Sequence, residues 1–221
     1  MELFHVYNRG VEKRSIFADD RDRVRFIHSL YEFNDIASVN NIKHHFENKD
    51  IASPYFEERK RKQLVDIHGW CLMDNHFHLL LSEHVEGGIA EFTRKLGIGH
   101  THYYNERHER SGVLFQGRTK KKLIDREAYF LFILHYIHLN PLDYVDDTSD
   151  WRNRSIKGAT KALSHLDSYR WSSFLDYCGQ KNFPSVITTE LFADVFKDYR
   201  KEITEYLKDI DLTDMQHLLH E

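Results

Sequence analysis

Apolar and polar positions along the chain repeat at two periods, and the points where the period changes mark the predicted elements. Leu3 to Asn8 is rich in β-prone residues and ends in Asn-Arg-Gly, which predicts a first strand. Val24, Ile27, Leu30 and Tyr31 then recur at helical spacing with charges between them, behind Asp19 or Asp20 as a cap. Residues 36–64 are polar and irregular, carry a basic EERKRKQ run, and read as an insertion with no assigned chemistry. Val65 to Met73 and His76 to Leu81 are apolar runs separated by Asp74-Asn75, a pair suited to a tight turn, and predict a hairpin.

After Gly87 and Gly88 a helix is expected from Ile89 to about Arg110, with Phe92, Leu96, Tyr103 and Tyr104 at helical intervals and Gly97 and Gly99 weakening it. Val113 to Ile124 reads as a strand with a bulge at Gly117. Arg126 to Asn140 is the clearest helix, closed by Pro141. A polar excursion over 145–165 follows, then a return to the core at Tyr169 to Phe174 and an amphipathic helix over Leu191 to Leu207. The order β, α, β, β, α, β, α specifies an α+β fold: a ferredoxin-like or RRM-like antiparallel sheet with helices on one face. We place that domain at residues 1–178, with the insertion at about 36–64, and a helical C-terminal extension at 179–221.

Composition narrows the class. A chain of 221 residues, 41% hydrophobic and 14% aromatic, buries a core without staples. Cys71 and Cys178 lie far apart and outside any CxxC spacing, so neither a disulfide framework nor a cysteine zinc site is indicated, and a cytoplasmic location is expected. The N-terminus has no secretion pattern, and the longest apolar run, Ala128 to Leu134, is too short to span a membrane. The net charge of -4 argues against a protein that coats nucleic acid indiscriminately. From Arg94 to Arg126, however, nine Lys or Arg face three acids, a local balance of +6 that suits a phosphate-binding face.

Two His-x-His pairs occur among 16 histidines. His76 and His78 fall in a predicted strand, where side chains two apart leave the same face about 6.6 Å apart at the backbone and can converge on one ion. His100 and His102 fall in a predicted helix, where a two-residue step turns the rings apart by about 200°. Periodicity therefore favours the strand pair as a metal site.

The run HGWCLMDNHFHLLL at 68–81, with HVYNRG at 5–10, LFQGR at 114–118, YIHLNP at 136–141 and YRWSSF at 169–174, resembles the single-tyrosine HUH transposases. The resemblance is greater to the larger repeat-associated tyrosine transposases than to the compact insertion-sequence enzymes, and it spans roughly residues 3–178. It implies that His76 and His78, with hydrophobic Phe77 between them, bind a divalent metal, Mg²⁺ or Mn²⁺, and that Tyr136 is the nucleophile. It further implies that Asn140 adds a metal contact, and that single-stranded or hairpin-associated DNA is cleaved through a 5′-phosphotyrosine link and rejoined without ATP.

Residues four apart on a helix project from one face, so Tyr136 and Asn140 can serve one ion. Tyr136 equally fits an apolar stripe of Tyr129, Phe132, Ile133 and Ile137, and Asn140, ahead of Pro141, equally fits a helix cap, which leaves His138, His135 or water as other third ligands. A site with an open position is also a habit of catalytic zinc. Arg94, Arg118, Lys120, Lys121 and Lys122 are the expected backbone contacts, with Arg9 as a further one. The chain departs from the family pattern at Asp74, where proline is frequent, in the long insertion, and in the tail after Tyr177. Both a monomer and a homodimer fit. Two other functions compete: a nucleic-acid-binding module that no longer cleaves, and a metal-dependent nuclease in which water attacks the phosphate.

Overall fold

A computed structural model describes residues 1–37, 61–146, 148, 150–153, 156 and 158–209. Most of the predicted insertion, residues 38–60, lies outside them. The described strands are β1 (Leu3–Arg9), β2 (Val65–Met73), β3 (His76–Glu83) and β4 (Lys120–Leu123), all antiparallel in the order β2-β3-β1-β4. With α1 (Asp20–Glu32) between β1 and β2 and α2 (Gly88–Arg107) between β3 and β4, this is the ferredoxin-like split βαβ arrangement expected from the element order. Among the described residues no helix is long and apolar enough to cross a membrane.

Strand parity divides the interior in two. Val6, Phe77, Leu79 and Leu81 point to one face, where they pack with Phe26, Ile27 and Leu30 of α1 and Ile89, Phe92 and Leu96 of α2. Leu3, Cys71, Met73 and Leu80 point to the other, against α3 (Glu127–Leu139). The one-face expectation therefore holds for α1 and α2, while α3 takes the opposite face. That is why β2 is buried at nearly every position instead of alternating: both of its faces are covered. Gly69 follows a register shift in β2, and a Cβ there would meet Leu134 of α3 at 2.9 Å, so the glycine admits the helix.

Several boundaries differ from expectation for identifiable reasons. Asp19 caps α1 by accepting from the Arg21 and Asp22 amides, but Phe26 fills the core and Val24 is exposed. The strand predicted over Val113 to Ile124 is broken at Gly117, whose φ of 76° turns the chain and leaves one bridge at Phe115 ahead of the short β4. Pro141 does not end the helical path at Asn140. Asn140 keeps helical angles (φ −51°, ψ −38°), and the chain continues as a 3-10 turn over Asn140–Tyr144, with Pro141 where no helical N–H is required.

The supposed polar excursion contains a second 3-10 turn, Trp151–Asn153, and α4 (Ala159–Ser168), and it buries Trp151 completely. Residues 171–173 lie along the free edge of β2, with Leu72 N–H donating to Trp171 O and Ser173 N–H to Trp70 O. After the short α5 (Phe174–Tyr177), the single helix predicted over Leu191 to Leu207 is two: α6 (Glu190–Ala193) and α7 (Tyr199–Asp209). Tyr199, Ile203 and Tyr206 of α7 close over α3 in the same core layer, so α3 is buried on nearly all sides.

Candidate active site

The same parity that sends Phe77 into the α1–α2 layer turns His76 and His78 toward α3. In β1, aligned with β3 so that Tyr7 pairs with His78 and Arg9 with His76, His5 and Tyr7 share that face. Three elements of the fold, β1, β3 and α3, thereby bring Tyr136 into a cluster of imidazoles. The His76 and His78 rings meet edge to face with centroids 5.0 Å apart, and the Tyr136 ring lies 5.6 Å from His78 and 5.7 Å from His5.

Hydrogen bonds orient the imidazoles. Asn75 Nδ2 donates to Lys13 O, which turns its Oδ1 toward His76 Nδ1 at 2.6 Å. An amide oxygen only accepts, so His76 carries a proton on Nδ1, which leaves Nε2 as the ring atom suited to a metal. His78 Nδ1 shares a proton with His5 Nε2 at 2.9 Å, and His5 Nδ1 lies 3.4 Å from the Tyr129 hydroxyl. Burial, with His76 and the Arg152 charge adding to it, pushes His78 well below the ordinary histidine value and keeps it neutral.

Two imidazoles on one face, each held through Nδ1, are the donor set a divalent cation accepts through Nε2, and the supports are of the kind that orient metal-binding histidines. The pair fits a cation that keeps water in its remaining positions. Among the described residues no three His, Cys, Asp or Glu side chains converge on a metal position. Asn140 is held otherwise: its Nδ2 donates to Tyr136 O at 2.7 Å and its Oδ1 accepts from Arg152 at 2.8 Å. His135 and His138 point away from the site toward Tyr199, with His138 bonded to the Tyr199 and Ser173 hydroxyls.

Tyr136 is 4% exposed. Its ring is covered by Trp151, at 5.8 Å, and by the Arg152 guanidinium, 5.6 Å from its centroid, so the 151–153 turn shields it from solvent. The expected basic residues separate by parity. Lys120 and Lys122 pair with Tyr7 and His5, and Arg9 and Lys120 line a cleft of about 340 Å³ beside His76, together with Tyr7, Lys13 and Gln116. Lys121, Arg94 and Arg118 instead rim a groove of about 930 Å³ on the opposite face, over Val6, Ile89 and Phe115, with Arg94 bound by both oxygens of Glu91. His100 and His102 diverge as helical geometry requires: His100 is buried against Phe17 and Phe26, and His102 is exposed beside Glu106.

Sequence reasoning missed His5, Lys13, Asn75 and Arg152. His5 and Tyr7 carried a readable signal, an alternating strand with polar aromatics on one parity. The other three depend on turns whose positions no local pattern shows.

No family model and no curated protein matches the chain. Among solved structures it is similar to one described as a REP-associated tyrosine transposase bound to a REP hairpin, at 11% identity and a TM-score of 0.45, over 85% of each chain. At that depth the likeness identifies neither a family nor an activity.

Proposed function

We propose that this protein cleaves and rejoins single-stranded, hairpin-associated DNA, with Tyr136 as nucleophile and His76 and His78 holding a divalent cation, Mg²⁺ or Mn²⁺. The observation that carries the proposal is the packing of the Tyr136 ring against His78, itself in contact with His76. In the reaction the Tyr136 oxygen forms a bond to phosphorus as the P–O3′ bond breaks. The phenol proton leaves to solvent, and the departing 3′ oxygen takes one up. When bound, the cation supplies Lewis acidity to the phosphate. The chain's own residues do the rest: Asn75 and His5 orient the imidazoles, and Arg9, Lys120 and Lys122 attract the backbone beside them. The phosphotyrosine link conserves the bond energy, so a second strand end reverses the step. Arg94, Arg118 and Lys121 would reach a different stretch of nucleic acid on the far face.

A denaturing gel tests this directly. With Mn²⁺ and a labelled hairpin-bearing single strand, the wild-type chain should form a protein–DNA adduct, and Tyr136→Phe should form none. Cleavage that survives Tyr136→Phe transfers the reaction to water and refutes the tyrosine mechanism. Two observations favour a second reading, a nucleic-acid-binding module that does not cleave: Tyr136 is covered, and Asn140 is engaged by Arg152. Tight binding of the hairpin strand with no adduct and no cleavage would establish that reading instead.

A further inference from the structure

The Trp151–Asn153 turn places a guanidinium where the proposed reaction needs one. Arg152 pairs with Asp143, donates to Asn140 Oδ1 at 2.8 Å, stacks on Trp151 at 4.2 Å and lies over the Tyr136 ring at 5.6 Å. Its charge also reaches the buried His78. The side chain is nevertheless 32% exposed, and it also hydrogen-bonds the Tyr136 side chain, which puts it at once in reach of solvent and beside the nucleophile. A planar guanidinium binds two oxygens of a phosphate at once, and an isolated cation so close to an imidazole pair is a cost that the fold meets with Asp143 and the Asn140 amide.

We propose that Arg152 is the clamp for the phosphate that Tyr136 attacks. This deepens the reading of the site as a tyrosine-dependent strand-cleaving centre and rests on it. The incoming phosphodiester takes the place of the neutral Asn140 oxygen on the fork, which keeps charge partners on both edges. The exchange draws the 151–153 turn off the Tyr136 ring and releases Asn140 Oδ1. Strand capture and exposure of the nucleophile thus become one event, and the buried resting position of Tyr136 is explained by the clamp being closed without a strand.

The test compares wild type, Arg152→Gln and Arg152→Lys as full-length chains, each first shown to unfold at a similar temperature. Wild type and hairpin strand locate the scissile phosphate by adduct mapping. A neutral methylphosphonate is then placed at that position, and binding is measured. The charge loss should weaken wild-type binding about tenfold or more and leave Arg152→Gln nearly unaffected, because the partner of the charge is already gone. Arg152→Lys, which keeps the charge and loses the fork, should recover part of the sensitivity. An equal loss in wild type and Arg152→Gln overturns the clamp while the tyrosine mechanism stands. A wild-type chain that forms no adduct with the hairpin strand overturns both.

Discussion

The two faces of the sheet are built from the same strands and filled in opposite ways. Between the sheet and α1–α2 lie Phe17, Phe26, Phe77, Leu79, Phe92 and Trp70, with a buried imidazole, His100, whose Nε2 donates to Ile16 O at 2.8 Å. On the α3 side of the sheet the interior is equally buried but holds His5, His78, His135 and His138 together with Tyr129, Tyr136 and Tyr199. His5, His78 and His138 are held there by hydrogen bonds, at a cost in side-chain freedom and desolvation that an apolar layer avoids. The contrast teaches that the first layer holds the sheet together and the second uses that rigidity to position titratable groups.

Breaking the histidine layer should have the largest effect. His76→Ala and His78→Ala are expected to lower the rate of adduct formation by about a hundredfold or more, as loss of a direct metal donor does. The matching replacements at His100 and His102 should leave it within a few fold. Equal losses in both pairs, measured as adduct per folded molecule, would erase the distinction between the faces.

The apolar layer should respond in the opposite sense. Phe26→Ala opens a cavity in a fully buried site and should cost about 3–5 kcal/mol of stability in a denaturant titration. The surviving folded fraction should form adduct at the wild-type rate. A large loss of rate at full folding would show that α1 shapes the site.

His100 offers a smaller, pH-dependent effect. Burial pushes its imidazole from 6.5 down to about 4. Between those values the unfolded chain binds a proton that the folded chain refuses, so stability falls as pH drops from about 6.5 to 4 and the loss is complete below that. The contribution is on the order of 3 kcal/mol. Relative to wild type, His100→Leu should therefore gain stability as pH falls through this window, a difference that cancels the other titrating groups. A pH-independent difference would mean that the His100 ring is hydrated.

The smallest effect sharpens the division of the lysines. Lys120→Ala should weaken binding of an unstructured single strand and reduce its salt slope by about 0.7, the value for one phosphate contact on a single strand. Lys121→Ala, on the other face, should leave that slope unchanged. Equal slopes in the two variants would put the strand on neither face in preference.

Much of this was legible before any coordinates. The His76–His78 pair was separable from His100–His102 because a two-residue step keeps side chains together on a strand and parts them on a helix, and the structure parts the second pair in that way. The hairpin, with its turn at Asp74-Asn75, followed from two apolar runs. A signal that the second face would also be covered, though not by which element, was present too. Val65 to Met73 is apolar at both parities, which a sheet wetted on one side does not support.

What residue order determined by itself is parity and periodicity, because those follow from backbone geometry within a few residues: Phe77 one way, His76 and His78 the other, Tyr136 and Asn140 one helical turn apart. Only the tertiary structure decided which face α3 would cover, that β1 would deliver His5 to His78 Nδ1, and that Arg152 would cross a loop to lie on Tyr136 and hold Asn140. The His5–His78 and Tyr136–Arg152 contacts join residues 73 and 16 positions apart. Their geometry is set by how whole layers stack, which short-range pattern does not encode.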